Sequence, residues 1–428
     1  MLDLCTKTCS RVYFVCLPTS TGGIYIVGDV PTMRAILQDP KSDKPRDIYQ
    51  PFEDAIGRPN LFSRSTEDPI LKSTRKCIFK AFSPKDVKRM NVVCDKYVNN
   101  WIKNDLEKFI DEKKSFDPSE EMVKLTFDLI MESAFEYPTS NQTKEERSFF
   151  LNNLEKVLVE FGSKQPSNPL RAYLTPLIKE RRDAIKASKN CKMLVQKVID
   201  YYLANTNKSE ENTIIKLVLE NKDFKTDEEL VAEIFIMMIG GFETTAYSLS
   251  STLILLAKHP RVAKKLRKEL FNMDPLEWSK SLFLRCVIQE SKRLLPVAAT
   301  GSGRRTSKDF VVQTPPEKPN ITIPKGASIM VPFIVPFRDP VIFKDPETFH
   351  PERWAPENVT KQMQDALIPF SLGNRNCVGQ TLAVAELYST IPKLIAKYDF
   401  EIDAEGELEY FLTMKYIGCR LRAMKASA

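Results

Sequence analysis

Between Thr226 and Pro260 the sequence reads as one long helix, and that element constrains how the rest of the chain can fold. Thr226 is followed three residues later by Glu229, the pattern of a capping box in which each side chain satisfies a backbone amide of the other. An apolar run at helical spacing continues to about Ala257, and His259-Pro260 ends it, because proline has no amide to give the ladder. About thirty residues at ~1.5 Å each make roughly 45 Å, long enough to cross the core of a globular protein. Gly240 and Gly241 interrupt the run, each costing about 1 kcal/mol against alanine in a helix interior. Glu243, Thr244 and Thr245 follow in apolar surroundings. Two readings fit. A group approaches the backbone closely, or the helix opens, with the carboxylate and a hydroxyl placed to relay protons. Alternatively, a kinked core helix satisfies its polar side chains on its own carbonyls.

The remaining sequence is arranged around that helix. "YIVGDVPTMRAILQDP" reads as a short strand and then a helix from near Pro31, residues 40–70 as a long loop, and 71–82 as a basic amphipathic helix. From about 84 to 270 the apolar spacing is mostly three and four, so the region is helical, with breaks at 163–170 and 208–212. After 295, proline-rich segments with β-branched runs read as short strands and turns. No repeat, low-complexity block or composition shift marks a boundary, so residues 1–428 read as a single mainly α domain with small β-sheets. Hydrophobic residues at 43% and charged ones at 28% suit a soluble chain with a large core. No stretch reaches the roughly 18 apolar residues of a spanning helix, and the start lacks a secretory pattern. The net charge of +7 is spread along the chain and does not point to nucleic acid. Nine cysteines, an odd number at irregular spacing, favour reduced thiols. Cys5 and Cys9 have no second pair nearby, and two histidines leave almost no room for a histidine-based zinc or iron site.

One cysteine stands apart. In "FSLGNRNCVG", Cys377 sits in a turn-prone segment just before the helical pattern of residues 380–398, with Arg375 two residues ahead. The helix N-terminus and loop amides there would stabilise a thiolate, and Gly379 removes a side chain where something flat and bulky might lie. Thiolate is one of the few protein ligands that hold haem iron. Glu290 and Arg293 share a helix face at i, i+3, by itself a common surface arrangement, and Arg353 in "DPETFHPERW" is able to reach the same carboxylate.

Phe370, Gly373, Arg375, Cys377 and Gly379 match the F-x-x-G-x-R-x-C-x-G signature of the cytochrome P-450 superfamily, the haem-thiolate monooxygenases. "GGFETT" resembles that family's oxygen-activation motif, Glu290-x-x-Arg293 its E-x-x-R pair, and Arg353 in "PERW" the third member of the triad. "FRDPVIFKDPETFHPERW" resembles its meander, and "KAFSP" the end of its haem-flanking basic helix. The likeness covers about residues 22–422, in eukaryotic-type style. It implies the cytochrome P-450 fold, with the long helix crossing over haem b, and Cys377 as the axial iron ligand. Phe370 would pack on the thiolate side and Gly373 would shape the loop. Arg375 would hold a propionate, with Arg75 and Lys72 as candidates for the same role and either Arg304 or Arg305 as another. Glu290, Arg293 and Arg353 would be structural. Thr244 would hold water near dioxygen, and Glu243 would feed protons in. The activity implied is insertion of one oxygen atom from O2 into a lipophilic substrate by hydroxylation or epoxidation. Substrate contacts would come from 51–70, 235–239, 297–302 and 412–414. Electrons would pass from NADPH through a separate reductase or ferredoxin, since no dinucleotide fingerprint is present; Lys72, Lys76 and Lys80, four apart on one face, suit an acidic donor.

Three positions depart from the family pattern. Leu71 stands where a tryptophan is usual, Phe337 where many members have histidine, and Glu243 where aspartate is commoner. The membrane anchor and hinge common at the family's N-terminus have no counterpart here. The expected location is therefore cytoplasmic as the sequence stands, or the cytosolic face of the endoplasmic reticulum or a plastid membrane if the N-terminus is truncated. Two other classes compete: haem-thiolate peroxide isomerases or dehydratases, which need no external electrons, and non-enzymatic haem binding. The Glu243–Thr244 pair argues against both.

Overall fold

The computed structural model describes residues 12–16, 23–205, 211–313, 320–410 and 412–426. The Cys5–Cys9 pair, most of the break at 208–212 and the proline-rich centre at 314–319 lie outside them. Eleven helices of nine residues or more are labelled α1 Val30–Gln38, α2 Arg46–Ile56, α3 Pro69–Ile78, α4 Pro84–Trp101, α5 Pro118–Phe135, α6 Lys144–Val157, α7 Lys179–Asn205, α8 Asp227–Lys258, α9 Pro260–Phe271, α10 Leu282–Leu294 and α11 Gln380–Lys397.

The long helix forms as its caps dictate. The Thr226 hydroxyl accepts the Glu229 amide, and the Glu229 carboxylate accepts the Thr226 amide, both at 3.3 Å. α8 then runs unbroken to Lys258, packed along α5 and against α7, α10 and α11. It does not open at its glycines. A Cβ on Gly241 would lie 2.7 Å from Ile130 of α5, so glycine lets the two helices approach, whereas a Cβ on Gly240 would meet nothing within 4 Å. The helix is long and apolar enough to cross a bilayer, contrary to the expectation that no stretch would be, and 72% of its most apolar window is buried inside the protein. Burial all round is what a helix apolar on every face requires.

α8 belongs to two hydrophobic clusters. Ala232 to Phe242 pack with α5, α6 and α7, while Ala246 to Leu256 pack with α4, α9, α10 and α11. Glu243, Thr244 and Thr245 fall at the seam. A four-stranded sheet in the order β1 (Val12–Cys16), β2 (Gly23–Val27), β6 (Ser328–Val331), β3 (Ser302–Arg305) flanks this assembly, with only β2 and β6 parallel. Among the small pairs, the hairpin of β8 (Glu407–Tyr410) and β9 (Met414–Ile417) lies against α8.

Residues 40–70 are not one long loop, since α2 occupies their centre. Pro51 obscures the helical pattern, yet Tyr49, Ala55 and Ile56 are buried on one face, and Gly57 ends the helix at φ +88°. Burial of that face outweighs the hydrogen bond that the proline removes. α3 begins at Pro69, where Asp68 accepts the Ile70 amide at 2.8 Å, and the basic segment tightens into a 3-10 turn over Phe79–Phe82.

Candidate active site

The Cys377 loop is built by backbone geometry. The Cys377 amide donates to the Phe370 carbonyl at 2.9 Å. Gly373 sits at φ +70°, and a Cβ there would lie 2.3 Å from the Leu37 carbonyl of α1, so only glycine lets α1 and the loop close on each other. Gly379 caps α11, and among the described residues a Cβ there would meet only the Cys377 sulfur within 4 Å, at 4.0 Å. The thiol is accessible only because it faces a cavity. Burial raises its pKa above the ordinary value, against the Gly379 amide, Arg75 and the Gln380 amide. The amides and Arg75 act in the direction the sequence reading expects, and a coordinated metal would complete the deprotonation.

The cavity in front of Cys377 measures about 390 Å³. Lys44, Arg75 and Arg375 line it from separate elements, as does Lys292 of α10, and Arg304 lies outside the lining but acts through its charge on Lys44 and Arg375. Arg304 on β3 is fully buried; its Nη1 donates to the Ser302 hydroxyl at 2.5 Å and the Gly303 carbonyl at 2.9 Å, and its Nη2 has no partner. Arg375 donates through Nη2 to the Phe62 carbonyl at 3.2 Å, and its Nη1 has no partner. Burial, then Arg304, brings the Arg375 pKa down to about 10. Arg75 on α3 holds the Asn376 carbonyl at 3.1 Å and amide oxygen at 2.7 Å. Lys44, before α2, places its ammonium over Tyr49 at 3.8 Å and Phe62 at 4.6 Å; burial and then Arg304, Arg375 and Arg75 hold its pKa well below the lysine range. Buried cations with unpaired donors are costly without an anion, so this group fits a ligand bearing carboxylates.

The opposite wall is α8. Gly240 opens onto the cavity, and the Thr244 hydroxyl donates back to the Gly240 carbonyl at 3.1 Å. Glu243 is buried, which pushes its pKa up to about 7 against Lys415 and hydrogen bonds from Tyr247 and Thr413. The remaining walls are mostly apolar, among them Phe52, Phe62, Phe82, Ile130, Phe161 and Ile236.

A thiol at the mouth of a helix, a flat space over a glycine and an acid–hydroxyl pair facing them accompany a sequence match. The family profile described as Cytochrome P450 matches residues 9–420. The chain belongs to the cytochrome P450 family. Its relatives include Cytochrome P450 3A40 of Oryzias latipes, 25% identical over 373 residues covering 80% of this chain and 71% of the relative. Cytochrome P450 3A9 of Rattus norvegicus is 26% identical over 373 residues, covering 80% and 70%. Cytochrome P450 4F11 of Homo sapiens is 34% identical over 238 residues, covering 50% and 44%. P450s are in general oxidoreductases of the monooxygenase type with a haem-thiolate cofactor, and the donor set around this cavity fits that group.

In this P450 the predicted ion triad is assembled as a closed cluster away from the cavity. Glu290 and Arg293 are fully buried and Arg353 nearly so. Arg293 grips both Glu290 oxygens at 2.8 and 2.9 Å, and Arg353 donates to Oε1 at 3.0 Å. The His350 amide and the Trp354 indole complete the carboxylate at 3.0 and 2.8 Å. Arg293 also donates to the carbonyls of Phe337 and Pro346 at 2.8 and 2.7 Å. Position 337 thus serves through its backbone, while its buried ring stacks on Phe333.

Two predicted cation positions lie elsewhere. Lys72 is exposed and 3.7 Å from Glu67, because its place on α3 turns it to solvent. Arg305, one residue beyond Arg304 on an alternating strand, points to the other face and pairs with Asp47 at 3.4 Å. Leu71 is buried outside the cavity lining. Sequence reasoning missed Lys44 and Tyr247, and also Val157, Leu158, Phe161 and Gly162 of the cavity wall. The last four lie where α6 widens into a π-helical turn at Leu158–Lys164, a backbone irregularity with no residue signature. Of the segments expected at the substrate, 235–239 contributes Ile236, Met237 and Ile239, and 412–414 contributes Leu412 and Thr413.

Proposed function

We propose that this chain binds haem b through Cys377 and inserts one atom of O2 into a lipophilic organic substrate, with electrons passing from NADPH through a separate reductase or ferredoxin. The observation that carries this reading is the group of cations Lys44, Arg75 and Arg375 lining the cavity that Cys377 faces, with the buried Arg304 close behind them, Arg304 and Arg375 each keeping a donor without a partner among the described residues. Two propionates are the carboxylates such a group would hold, and Arg304 rather than Arg305 has the free donor for one. Gly379 leaves room for the ring, and Phe370 lies beside the thiol.

Bound haem supplies the oxygen activation itself. The chain's own residues would do the rest. The apolar walls hold the substrate and exclude water. The Thr244 hydroxyl, anchored on the Gly240 carbonyl, keeps a proton-bearing oxygen at the cavity wall. Glu243, half protonated near pH 7, has the proton affinity that suits an acid working there. The exposed Lys72, Lys76 and Lys80 along α3 and its 3-10 extension support docking of an acidic electron donor.

The reduced protein should show a strongly red-shifted Soret band with carbon monoxide, lost in Cys377→Ala. An ordinary haem–CO band in the parent protein overturns the thiolate assignment. Thr244→Ala should lower product formed per NADPH consumed, and full coupling in that variant would remove the hydroxyl from the proton relay.

A further inference from the structure

Lys292 is left over from the site described above. It lies on α10 between Glu290 and Arg293. Both of those turn into the closed ion cluster, whereas the Lys292 side chain lines the cavity. Its Nζ is 5.3 Å from the centre of the Phe370 ring, and Phe370 is the residue whose carbonyl holds the Cys377 amide. Leu387 of α11, Pro369 and Gly379 line the same region. Among the described residues Lys292 forms no hydrogen bond or ion pair. An ammonium over an aromatic face is held by the ring's negative quadrupole, and that ring is the only partner recorded for it.

Lys292 is also electrostatically separate from Lys44, Arg75, Arg304 and Arg375. Those repel one another, whereas burial alone acts on Lys292, bringing its pKa down to about 8. It stays positive at neutral pH without drawing on those cations. A helix position next to a fully satisfied ion cluster has instead placed a single positive charge beside the loop that carries Cys377.

We propose that the Lys292 ammonium is a tuning residue that raises the reduction potential of the haem this site binds, an inference that rests on the haem-thiolate reading. Reduction adds one electron, delivered by the external donor, and no bond or proton changes at Lys292. A positive charge held in a water-poor site favours the more negative state of a neighbouring redox group. A single buried charge near a redox group changes its equilibrium on the order of tenfold at an effective dielectric of about 20, and tenfold for one electron is about 59 mV.

The test is a spectroelectrochemical titration at pH 7 of the holoprotein and of Lys292→Met and Lys292→Arg, with Lys292→Gln as a second neutral variant in case methionine prevents folding. The ferrous-to-ferric equilibrium constant should fall about tenfold in the neutral variants and stay within about twofold of the parent in Lys292→Arg. Neutral variants that titrate with the parent overturn the inference. So does an equal shift in Lys292→Arg, which would mark a packing effect instead of a charge effect. The two readings fail differently. A parent protein lacking the red-shifted carbon-monoxide band loses the thiolate assignment on which the inference stands, whereas that band with unchanged potentials removes the role of Lys292 alone.

Discussion

Two groups of charge are buried in this protein, and they are finished in opposite ways. At Glu290, Arg293 and Arg353 the carboxylate accepts five hydrogen bonds from arginine, indole and backbone donors. The spare arginine donors reach main-chain carbonyls. Beside the cavity, Lys44, Arg75, Arg304 and Arg375 form a group in which Asp43 is the one carboxylate acting on Lys44, Arg304 and Arg375, and two guanidinium nitrogens have no partner among the described residues. A buried charge closed by the chain itself fixes architecture. One left open marks where the chain expects something else. The contrast distinguishes scaffold from site without reference to any relative.

The comparison can be broken first on its closed side. Glu290→Ala leaves two buried guanidinium groups without their anion and should cost about 3–5 kcal/mol, read as a large fall in the urea midpoint. A midpoint near the parent's would mean that the cluster is not needed to hold the fold.

Glu243 differs from both groups, being buried with hydroxyl partners and only the charge of Lys415 opposing the effect of burial, and its titration sharpens the contrast. Burial raises its pKa from 4.5 to about 7 in the folded protein, so the folded state binds that proton more tightly than the unfolded one. Its contribution is complete below about pH 4.5 and is lost as the pH climbs through about 7, on the order of 3 kcal/mol in all. Thermal midpoints of the haem-free protein followed from pH 4.5 to 8 should fall relative to Glu243→Gln. Parallel curves for the two proteins would place Glu243 in contact with solvent or with a full counter-charge.

The open side should respond in the reverse sense to the closed one. Arg304→Met removes a cation with an unpaired donor, so the haem-free protein should keep its stability to within about 1 kcal/mol or gain some. Haem retention should fall roughly tenfold to a hundredfold, the equivalent of losing a charge-assisted hydrogen bond. Arg305→Ala, one residue along the strand, should change neither by more than about 0.5 kcal/mol. Haem transfer to apomyoglobin and urea melts of the three proteins make the measurement. Equal effects at 304 and 305 would show that strand alternation does not separate the two arginines.

Much of this was legible in the sequence where local chemistry decides. The capping box and the His259-Pro260 stop bounded α8, and the cysteine loop announced itself through glycines that backbone geometry requires. The triad was legible as spacing, although only the fold brings Arg353 to Glu290. What escaped depends on tertiary context. α2 hid behind Pro51 because the burial that stabilises it comes from other elements. Lys44 carries no local pattern, since its role comes from β3 and the Cys377 loop closing around it. Alternation along β3 separates Arg304 from Arg305, but the face that looks inward becomes known only once the sheet is placed.

α8 changes partners at its middle, and that gives the helix a mechanical character. It is a beam set in two blocks, one built with α6 and α7 and the other with α10 and α11. Between them one face opens on the cavity at Gly240, while Gly241 beside it stays pressed on Ile130 of α5. Any load that shifts one block against the other is borne there, on the stretch that also carries Glu243 and Thr244. The place where the two blocks meet is therefore also the place where the protons are kept.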